Sequence, residues 1–481
     1  MARTELVRSA HAPGGTRELS GIDRAVLPMV IRGTWLYEGG LDPAKLREGL
    51  AALLEHYPHV AGRMHDGRIH QTGEGVPFTH TSRPDLTLET LCDDPRLAHD
   101  LHPPWRRAAF ERGQDPPLAA GLVDLEDGQA LTLTCAHACM DGESFYTMAR
   151  AWSRICTGRP VEPTVLDPSL LPSFPDRSKD EAVRAARDAG WVKPSVLRML
   201  PTLARLMLGR LGNRSRPILL DASALDAIGD AAGAGLPEDV RLGRNDVITA
   251  HLTRMCARLC HPPDTVCQQV VVLDGRGHLS GVPDAFVGNV ALSALGARFP
   301  AGASLPEVAL ATHRALAPWL ARPSPALDAL WCTSLELMRH RVLMATYDVS
   351  ATYTRRPTVF YVNNFARMPV YDVDFGTGPP VRVVPHDLPD PILVWPAPPG
   401  RKGVEVYLAG VLDRASRAWG DDAWWAELRG HPASGGKAPG SGGPPVVRED
   451  SLATPMQSVH TLAGPPCTEC TVFALKGLLV P

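Results

Sequence analysis

Residues 131–142 read Leu-Thr-Leu-Thr-Cys-Ala-His-Ala-Cys-Met-Asp-Gly, and the pattern around them predicts how this part of the chain folds. Leucine and threonine alternate at the start, as expected for a β-strand with one buried face. From Phe145 to Ile155 apolar residues recur at a spacing of three to four, and Gly158 follows them, which predicts a helix. The stretch therefore predicts one unit in which a strand, a short polar motif and a helix follow one another.

The polar motif between the predicted strand and helix contains His137 and Asp141. An imidazole at the end of a strand can face a cleft, and with an ordinary pKa of ~6.5 it can take up a proton at neutral pH. Gly142 is expected to let the backbone turn sharply after the aspartate. A partly buried histidine at a strand end explains the same pattern, so the motif alone leaves both interpretations open.

The rest of the chain also mixes helices with strands, and it divides into two halves. A helix is predicted after Asp42, which is followed by a proline suited to a first helical turn. Five prolines within residues 157–176 indicate an exposed crossover, and beyond it a helix from Asn245 and a strand through residues 270–273 are predicted. We predict these parts: an N-terminal domain over 1–156, a crossover over 157–216, a C-terminal domain over 217–430 and a low-complexity, mobile tail over 431–481.

Composition limits the classes of partner. The chain has 481 residues, enough for two or three domains, and a formal net charge of −3 that gives no electrostatic basis for binding nucleic acid or an anionic membrane. No apolar run approaches the ~20 residues that span a bilayer, and the N-terminus lacks a signal pattern. The 10 cysteines are scattered along the chain. We therefore expect a cytoplasmic protein in a reducing compartment, with small molecules as its partners.

Two further loops carry glycines beside charged residues. Asp372–Gly378 reads Asp-Val-Asp-Phe-Gly-Thr-Gly, where the glycines permit positive φ and Asp374 can accept hydrogen bonds from the backbone. The second loop, Asp274-Gly275-Arg276, follows the predicted strand at 270–273, and Gly288-Asn289 lies a little further on. Taken singly, the first is a turn and the second is a tight loop with a surface arginine.

Together and in this order, the motifs resemble the BAHD acyltransferase family, whose members carry His-x-x-x-Asp(-Gly) near the middle and Asp-Phe-Gly-Trp-Gly near the C-terminal end. The resemblance covers roughly residues 15 to 430 and extends to these segments: Leu19–Asp23, Tyr57–Arg63, Trp152, Asp274–Arg276, Gly288–Asn289 and Gly403–Val406. It implies an α/β fold of two similar-sized mixed-sheet domains flanked by helices, like chloramphenicol acetyltransferase, with a central channel between them.

The resemblance also implies roles for the motif residues. His137 is expected to be the general base that activates a hydroxyl or amine acceptor for attack on the thioester of acyl-coenzyme A. Asp141 is expected to pair with Arg276 and to be structural. Further structural roles fall to Gly142, Asp374, Gly376 and Gly378. Thr377 departs from the pattern, because the family usually has tryptophan there.

Two residues are candidates for binding substrate. Arg367 aligns with an arginine that binds an acceptor carboxylate in hydroxycinnamoyl transferases, although a surface arginine near a strand end explains it equally well. Asn289 is the second candidate. The sequence leaves open the acyl donor, the acceptor and the choice between O- and N-acylation.

No permanently bound cofactor and no metal are expected, with acyl-coenzyme A as co-substrate and a monomer as the working form. Cys135 and Cys139 flank His137 but are expected to be core residues, and Cys467 and Cys470 make too small a set for a zinc site.

Two alternatives remain open. One is a condensation-type enzyme with a carrier-bound donor, which usually shows His-His where this chain has Ala136 before His137. The other is a non-catalytic binding relative of the same fold, an alternative suggested by Thr377 and the long tail.

Overall fold

Two six-stranded sheets form the framework of the fold. The computed structural model describes residues 3–11, 14–173, 176–194, 217–352, 356–385, 392–408 and 421–430. The strands are β1 Arg3–Val7, β2 Thr16–Glu18, β3 Val30–Tyr37, β4 Arg63–His65, β5 Arg68–His70, β6 Val76–Arg83, β7 Leu118–Leu125, β8 Gln129–Ala136, β9 Ile218–Asp221, β10 Val266–Asp274, β11 Ala291–Pro300, β12 Val359–Asn364, β13 Arg382–Pro385, β14 Ile392–Pro396 and β15 Gly403–Tyr407.

Helices flank both sheets, as the resemblance implied. The α-helices are α1 Gly21–Ala25, α2 Pro43–His56, α3 Leu88–Asp93, α4 Arg107–Glu111, α5 Gly142–Cys156, α6 Lys179–Asp188, α7 Ala222–Gly233, α8 Arg244–Cys260, α9 Leu305–Leu316, α10 Pro325–Arg339, α11 Val349–Thr352 and α12 Asp422–Leu428. Short 3₁₀ helices cover Pro58–Ala61, Pro95–Leu101, His137–Cys139 and Pro168–Leu170.

The strand order shows that both large sheets are mixed. The first runs β1-β6-β7-β8-β3-β13, with β6 and β7 parallel and the other neighbours antiparallel. The second runs β11-β10-β12-β14-β15-β9, with β12 parallel to both of its neighbours. A small third sheet joins β2, β5 and β4. The predicted α/β class with two mixed-sheet domains is therefore confirmed.

The predicted strand, motif and helix around His137 are confirmed. β8 lies between β7 and β3, and every residue of it after Gln129 is buried. Asp141 caps the next helix, α5, because its carboxylate accepts a hydrogen bond from Ser144 N at 3.0 Å. The helix ends at Cys156, and Gly158 follows in the left-handed region with φ of 67°. The local sequence patterns thus predict correctly the strand and the helix on either side of the motif.

The elements predicted in both halves also form. α2 begins after Asp42, whose side chain accepts from Ala44 N at 2.8 Å, and Pro43 occupies its first turn. α8 and β10 match the predicted helix and strand of the second half, and both are largely buried.

One strand crosses between the halves of the sequence. β13, from the second half, pairs antiparallel with β3 and so completes the first sheet. Its Arg382 also donates to Glu405 of β15 at 2.6 Å, which joins the first sheet to the second through a largely buried ion pair. Sheet membership therefore does not follow chain order, and the domain boundaries given above stay predictions.

Parts of the prediction lie outside the described residues, namely most of the second half of the crossover and the tail from 431, including Cys467 and Cys470. Within the described ranges, no helix is long and apolar enough to cross a membrane.

Two buried histidines make the stability of the fold depend on pH. Burial, and then the charge of Arg17, lower the pKa of His59 well below its usual value, and burial lowers the pKa of His251. The unfolded chain therefore binds protons that the folded chain does not as the pH falls below ~6.5. We expect stability to be lost from that pH downward, with each histidine contributing a slope of up to about 1.4 kcal/mol per pH unit.

Urea unfolding between pH 7.5 and 5 tests this expectation. His59→Gln and His251→Gln should each flatten the dependence of the free energy of unfolding on pH, and His65→Gln, at an exposed site, should leave it unchanged. An unaltered slope in both buried-site variants would show that other groups set the dependence.

Candidate active site

His137 stands where β8 ends. Ala136 is the last residue of the strand, and His137 starts a single 3₁₀ turn in which its own side chain is half-buried while Ala138 and Cys139 are buried. Its backbone N–H donates to Met29 O at 3.0 Å, which attaches the turn to the segment that leads into β3. The turn therefore holds the imidazole at a fixed point on the edge of the buried core.

The side chain of Asn289 contacts the His137 imidazole. Asn289 Oδ1 lies 3.0 Å from His137 Nδ1, and Asn289 Nδ2 donates both to the His137 carbonyl and to Asp23 Oδ1, each at 2.7 Å. Because a carbonyl and a carboxylate only accept, the amide nitrogen must face them and the amide oxygen must face the ring. Neutral His137 therefore carries its proton on Nδ1, which leaves the lone pair on Nε2.

Asp141 does not face His137 in this arrangement but binds Arg276. The carboxylate oxygens of Asp141 accept from Arg276 Nη2 at 2.8 Å and Nη1 at 3.0 Å, and both side chains are about 95% buried. Burial alone would raise the pKa of Asp141, but the charge of Arg276 and the hydrogen bonds to the carboxylate outweigh it, and the net shift is downward. Asp141 is thus an ionised, fully engaged carboxylate.

All three guanidinium nitrogens of Arg276 are hydrogen-bonded. Besides Asp141, they donate to Phe286 O at 2.7 Å, Asp274 Oδ1 at 2.7 Å, Ser144 Oγ at 2.6 Å and Gly288 O at 3.1 Å. Asp141 also accepts from Val290 N at 3.2 Å. The ion pair therefore connects the start of α5 to the loop between β10 and β11, which also carries Asn289.

Gly142 lies at the start of α5, where its small size matters more than a sharp turn of the backbone. Its φ is not in the left-handed region, and it occupies the first position of α5. A Cβ atom there would lie 3.1 Å from Phe365 Cε1 and 3.7 Å from Met368 Cε. A Cβ atom would therefore crowd Phe365, so glycine favours this close approach of the segment after β12, and the positive φ that would make a turn specific for glycine is absent.

The same close contact determines where Arg367 lies. It is an exposed residue in the turn between Phe365 and Met368, beside the first turn of α5. Among the described residues, no side chain or carbonyl forms a hydrogen bond or ion pair with its guanidinium. The arginine is therefore available to an external anion.

The Asp374 loop lies apart from His137, at the opposite end of α5. Asp374 Oδ1 accepts from Gly376 N at 2.7 Å and Gly378 N at 3.0 Å, and both glycines have positive φ, at 100° and 96°. Phe375 packs edge-on against Trp152 with ring centroids 5.3 Å apart. α5 has 15 residues, so about 20 Å separates this loop from the motif.

Cys135 and Cys139 belong to the core. Both are fully buried, and the pKa of the Cys135 thiol is raised by its hydrogen bond to Cys139 and by burial. Over the described ranges, no group of three potential metal ligands occurs among histidine, cysteine and acidic side chains.

Sequence reasoning missed two side chains of the site, Ser144 and Asp23. Ser144 receives a hydrogen bond from Arg276, and Asp23 receives one from Asn289. The segment Leu19–Asp23 had been singled out, and its Ser20 and Asp23 form a capping box on α1. That local pattern indicates a helix start but gives no sign of the contact with Asn289.

Comparison with known sequences identifies relatives along most of the chain. Residues 3–414 match the Transferase family. Tryptamine hydroxycinnamoyltransferase 2 of Oryza sativa subsp. japonica is 24% identical over 85% of this chain and 95% of its own length. Hydroxycinnamoyl-CoA:5-hydroxyanthranilate N-hydroxycinnamoyltransferase HHT1 of Avena sativa is 26% identical over 72% of this chain and 78% of its own length.

Solved structures share the fold. Vinorine synthase superposes with a TM-score of 0.60 at 17% identity, covering 86% of this chain and 96% of the other. TRI101 of F. graminearum, complexed with ethyl coenzyme A, superposes with a TM-score of 0.63 at 16% identity, covering 85% and 98%. A condensation domain of the calcium-dependent antibiotic synthetase shares the fold with a TM-score of 0.52.

The fold alone does not separate acyltransferases from condensation domains, but the family match does. Because that match spans residues 3–414 and the curated relatives are acyltransferases, the chain belongs to the Transferase family, the BAHD acyltransferases, and is itself an acyltransferase.

Proposed function

We propose that the protein transfers an acyl group from coenzyme A to the hydroxyl or amine of a small-molecule acceptor, with His137 as general base. The observation that carries the proposal is the contact between His137 Nδ1 and Asn289 Oδ1, which leaves Nε2 unprotonated. The names of the relatives support the class of reaction, since they include a tryptamine and a 5-hydroxyanthranilate hydroxycinnamoyltransferase. TRI101, which shares the fold, was solved with coenzyme A.

The reaction then needs no covalent enzyme intermediate. His137 Nε2 removes the acceptor proton while the acceptor oxygen or nitrogen forms a bond to the thioester carbonyl carbon. The tetrahedral intermediate collapses, the C–S bond breaks, and the imidazolium returns the proton to the leaving thiolate of coenzyme A. Neither Cys135 nor Cys139 takes part, because both thiols are buried.

Asn289 acts as a positioning residue within this proposal. Its amide groups are occupied by His137 and Asp23, and its side chain is 4% exposed, so it has little surface left for a substrate. This role replaces the substrate contact predicted from the sequence. In other enzymes, a hydrogen bond to one ring nitrogen of a functional histidine fixes its tautomer and orientation in the same way.

The working form proposed for the protein is a cytoplasmic monomer that binds an acyl-coenzyme A donor and a small acceptor, with no permanent cofactor. The condensation-type and non-catalytic alternatives have no particular observation in their favour, since Ala136 precedes His137 and the His137 environment is intact.

Loss of the base tests the central assignment. His137→Ala should lower kcat by about 10²-fold or more with folding unchanged, as expected for removal of a general base. The assay follows thiol release from a panel of acyl-coenzyme A donors, including hydroxycinnamoyl esters, with tryptamine and 5-hydroxyanthranilate among the acceptors. His65→Ala, at an exposed position, is the control, and equal rates in His137→Ala and the parent would disprove the role.

Asp141 and Arg276 are proposed to be structural. Removing one partner leaves the other buried and unpaired, so Asp141→Asn and Arg276→Met should each cost about 3–5 kcal/mol of stability, measured by urea unfolding. The double variant should recover part of that loss because no buried charge of the pair is left unpaired, and Asp274, which also loses Arg276, is half-exposed to water. Asp85→Asn, in an exposed ion pair, is the matched control and should behave like the parent. Full stability in Asp141→Asn would contradict the assignment.

Arg367 is proposed to bind an acceptor carboxylate. A charge-assisted hydrogen bond is worth about 1.5–3 kcal/mol, so Arg367→Ala should raise KM for 5-hydroxyanthranilate by roughly 10- to 100-fold. Tryptamine lacks a carboxylate, and its KM should not change. Steady-state kinetics with both acceptors make the comparison, and Arg83→Ala is the control at an exposed arginine. Equal effects on the two acceptors would exclude carboxylate recognition.

A further inference from the structure

Asp23 is a buried carboxylate without a cation. It is 3% exposed, and it forms no ion pair with any residue in the described ranges. Its oxygens have two N–H donors: Ser20 N reaches Oδ2 at 2.9 Å and Asn289 Nδ2 reaches Oδ1 at 2.7 Å. Carboxylates are rarely buried unless they are paired, because desolvation disfavours the charged form. An uncompensated one beside a reaction centre therefore requires an explanation.

The capping box at the start of α1 explains the orientation of the Asp23 side chain, but it does not require a negative charge there. Ser20 Oγ accepts from Asp23 N at 3.1 Å while Asp23 Oδ2 accepts from Ser20 N, an arrangement that fixes the side chain. An uncharged side chain of the same shape could cap the helix as well. The second oxygen, Oδ1, is free of the cap and points at Asn289.

Asp141, the carboxylate of the motif itself, is not available to His137. Both of its oxygens bind Arg276, and Arg276 is further bound by Asp274. A general base becomes positively charged when it takes up a proton, so a nearby negative charge stabilises the protonated state. Asp23 is the remaining buried carboxylate that is linked to the imidazole through hydrogen bonds.

We propose that Asp23 is a positioning residue that orients Asn289 and supplies negative charge to the His137 imidazolium through the Asn289 amide. The inference rests on the proposed function of His137 as a base. The carboxylate fixes Nδ2 of Asn289 toward itself, the amide oxygen then accepts from His137 Nδ1–H, and the lone pair remains on Nε2. Asp23 itself exchanges no proton in the proposed reaction.

Other charged groups lie on the elements around this chain of contacts, and they are common to the parent and the variants below: Arg17, Arg24, Arg32, Glu143, Asp274 and the Asp141–Arg276 pair. α10 packs on the other side of α1 and presents the apolar side chains of Leu335 and Met338 there. A change confined to position 23 therefore leaves these other charges as they are in the parent.

Asp23→Asn removes this charge and keeps one acceptor oxygen, while its amide nitrogen takes the place of the other oxygen and loses the hydrogen bond either from Ser20 N or from Asn289 Nδ2. Because a negative neighbour favours the imidazolium, its loss should lower the pKa of His137 by about one pH unit. The pKa and the tautomer are read directly from nitrogen chemical shifts of ¹⁵N-histidine-labelled protein, with the His137 signals assigned by their absence in His137→Gln. In kinetics, the acid limb of the kcat/KM profile should move to lower pH by the same amount, kcat should fall about tenfold, and KM should change less than about twofold.

Two further variants keep the test decisive. The double variant Asp141→Asn with Arg276→Met should lose stability while its His137 signals titrate as in the parent, because it removes two opposite charges together and leaves the net charge of the pair unchanged. The exchange Asp23→Asn with Asn289→Asp returns one negative charge to the pair and should restore or raise the pKa of His137, and this variant decides the question if Asp23→Asn alone does not fold.

The outcomes separate this inference from the proposed function. The role of Asp23 would be overturned if Asp23→Asn left the pKa and the tautomer of His137 unchanged. It would also be overturned if Asp23→Asn lowered that pKa and the exchange variant did not restore it. Undiminished activity in His137→Ala would instead overturn the proposed function, whereas the spectroscopic result does not depend on turnover.

Discussion

A buried ion pair, Asp141 with Arg276, fixes the geometry of the site. Moving two charges out of water costs several kcal/mol per ion, so such a pair persists only where good geometry and further hydrogen bonds compensate for desolvation. Here the carboxylate also caps α5 and accepts from Val290 N, while the guanidinium binds two backbone carbonyls and Ser144 Oγ. Because these partners come from both halves of the sequence, the pair holds the loop of Asn289 beside the turn of His137.

The two carboxylates near His137 therefore have different tasks. The net downward shift in the pKa of Asp141 shows that the attraction of Arg276 exceeds the penalty of burial, and this charge is spent on structure. Within the described residues, Asp23 accepts hydrogen bonds from two N–H groups, and we infer that its charge acts on the ring through the Asn289 amide. The motif spacing of His137 and Asp141 suggests a direct partnership. In the structure, however, Asp141 binds Arg276, whereas Asp23, which is more distant in sequence, contacts the Asn289 amide that binds the ring.

Much of the fold could be predicted because its signals are local. β8, α5 and α8 follow from periodicity, and the Asp374 turn follows from an aspartate two and four residues before the glycines it binds. The contact of Asn289 with Asp23 spans 266 residues, so no spacing rule could reveal it. β13 was missed for the same reason, since a four-residue strand gains its identity from pairing with β3. The sequence pattern around Gly142 predicts a turn, and it contains no signal of the contact with Phe365, which is more than 200 residues away in the chain.

The contact of Phe365 with Gly142 also positions Arg367, the residue proposed to select the acceptor. Solved acyltransferases and a condensation domain share this fold at identities of 16–17%, so the backbone frame alone does not determine the substrate. Phe365 and Met368 pack on the first turn of α5 beside Gly142, and the turn between them carries an exposed Arg367 beside the motif. Since Phe365 is buried against Trp395 and Tyr146, the segment is anchored by aromatic packing while its exposed residue is free to vary. A substitution of Arg367, the residue proposed to bind the acceptor, therefore leaves undisturbed the ion pair that holds His137 in place.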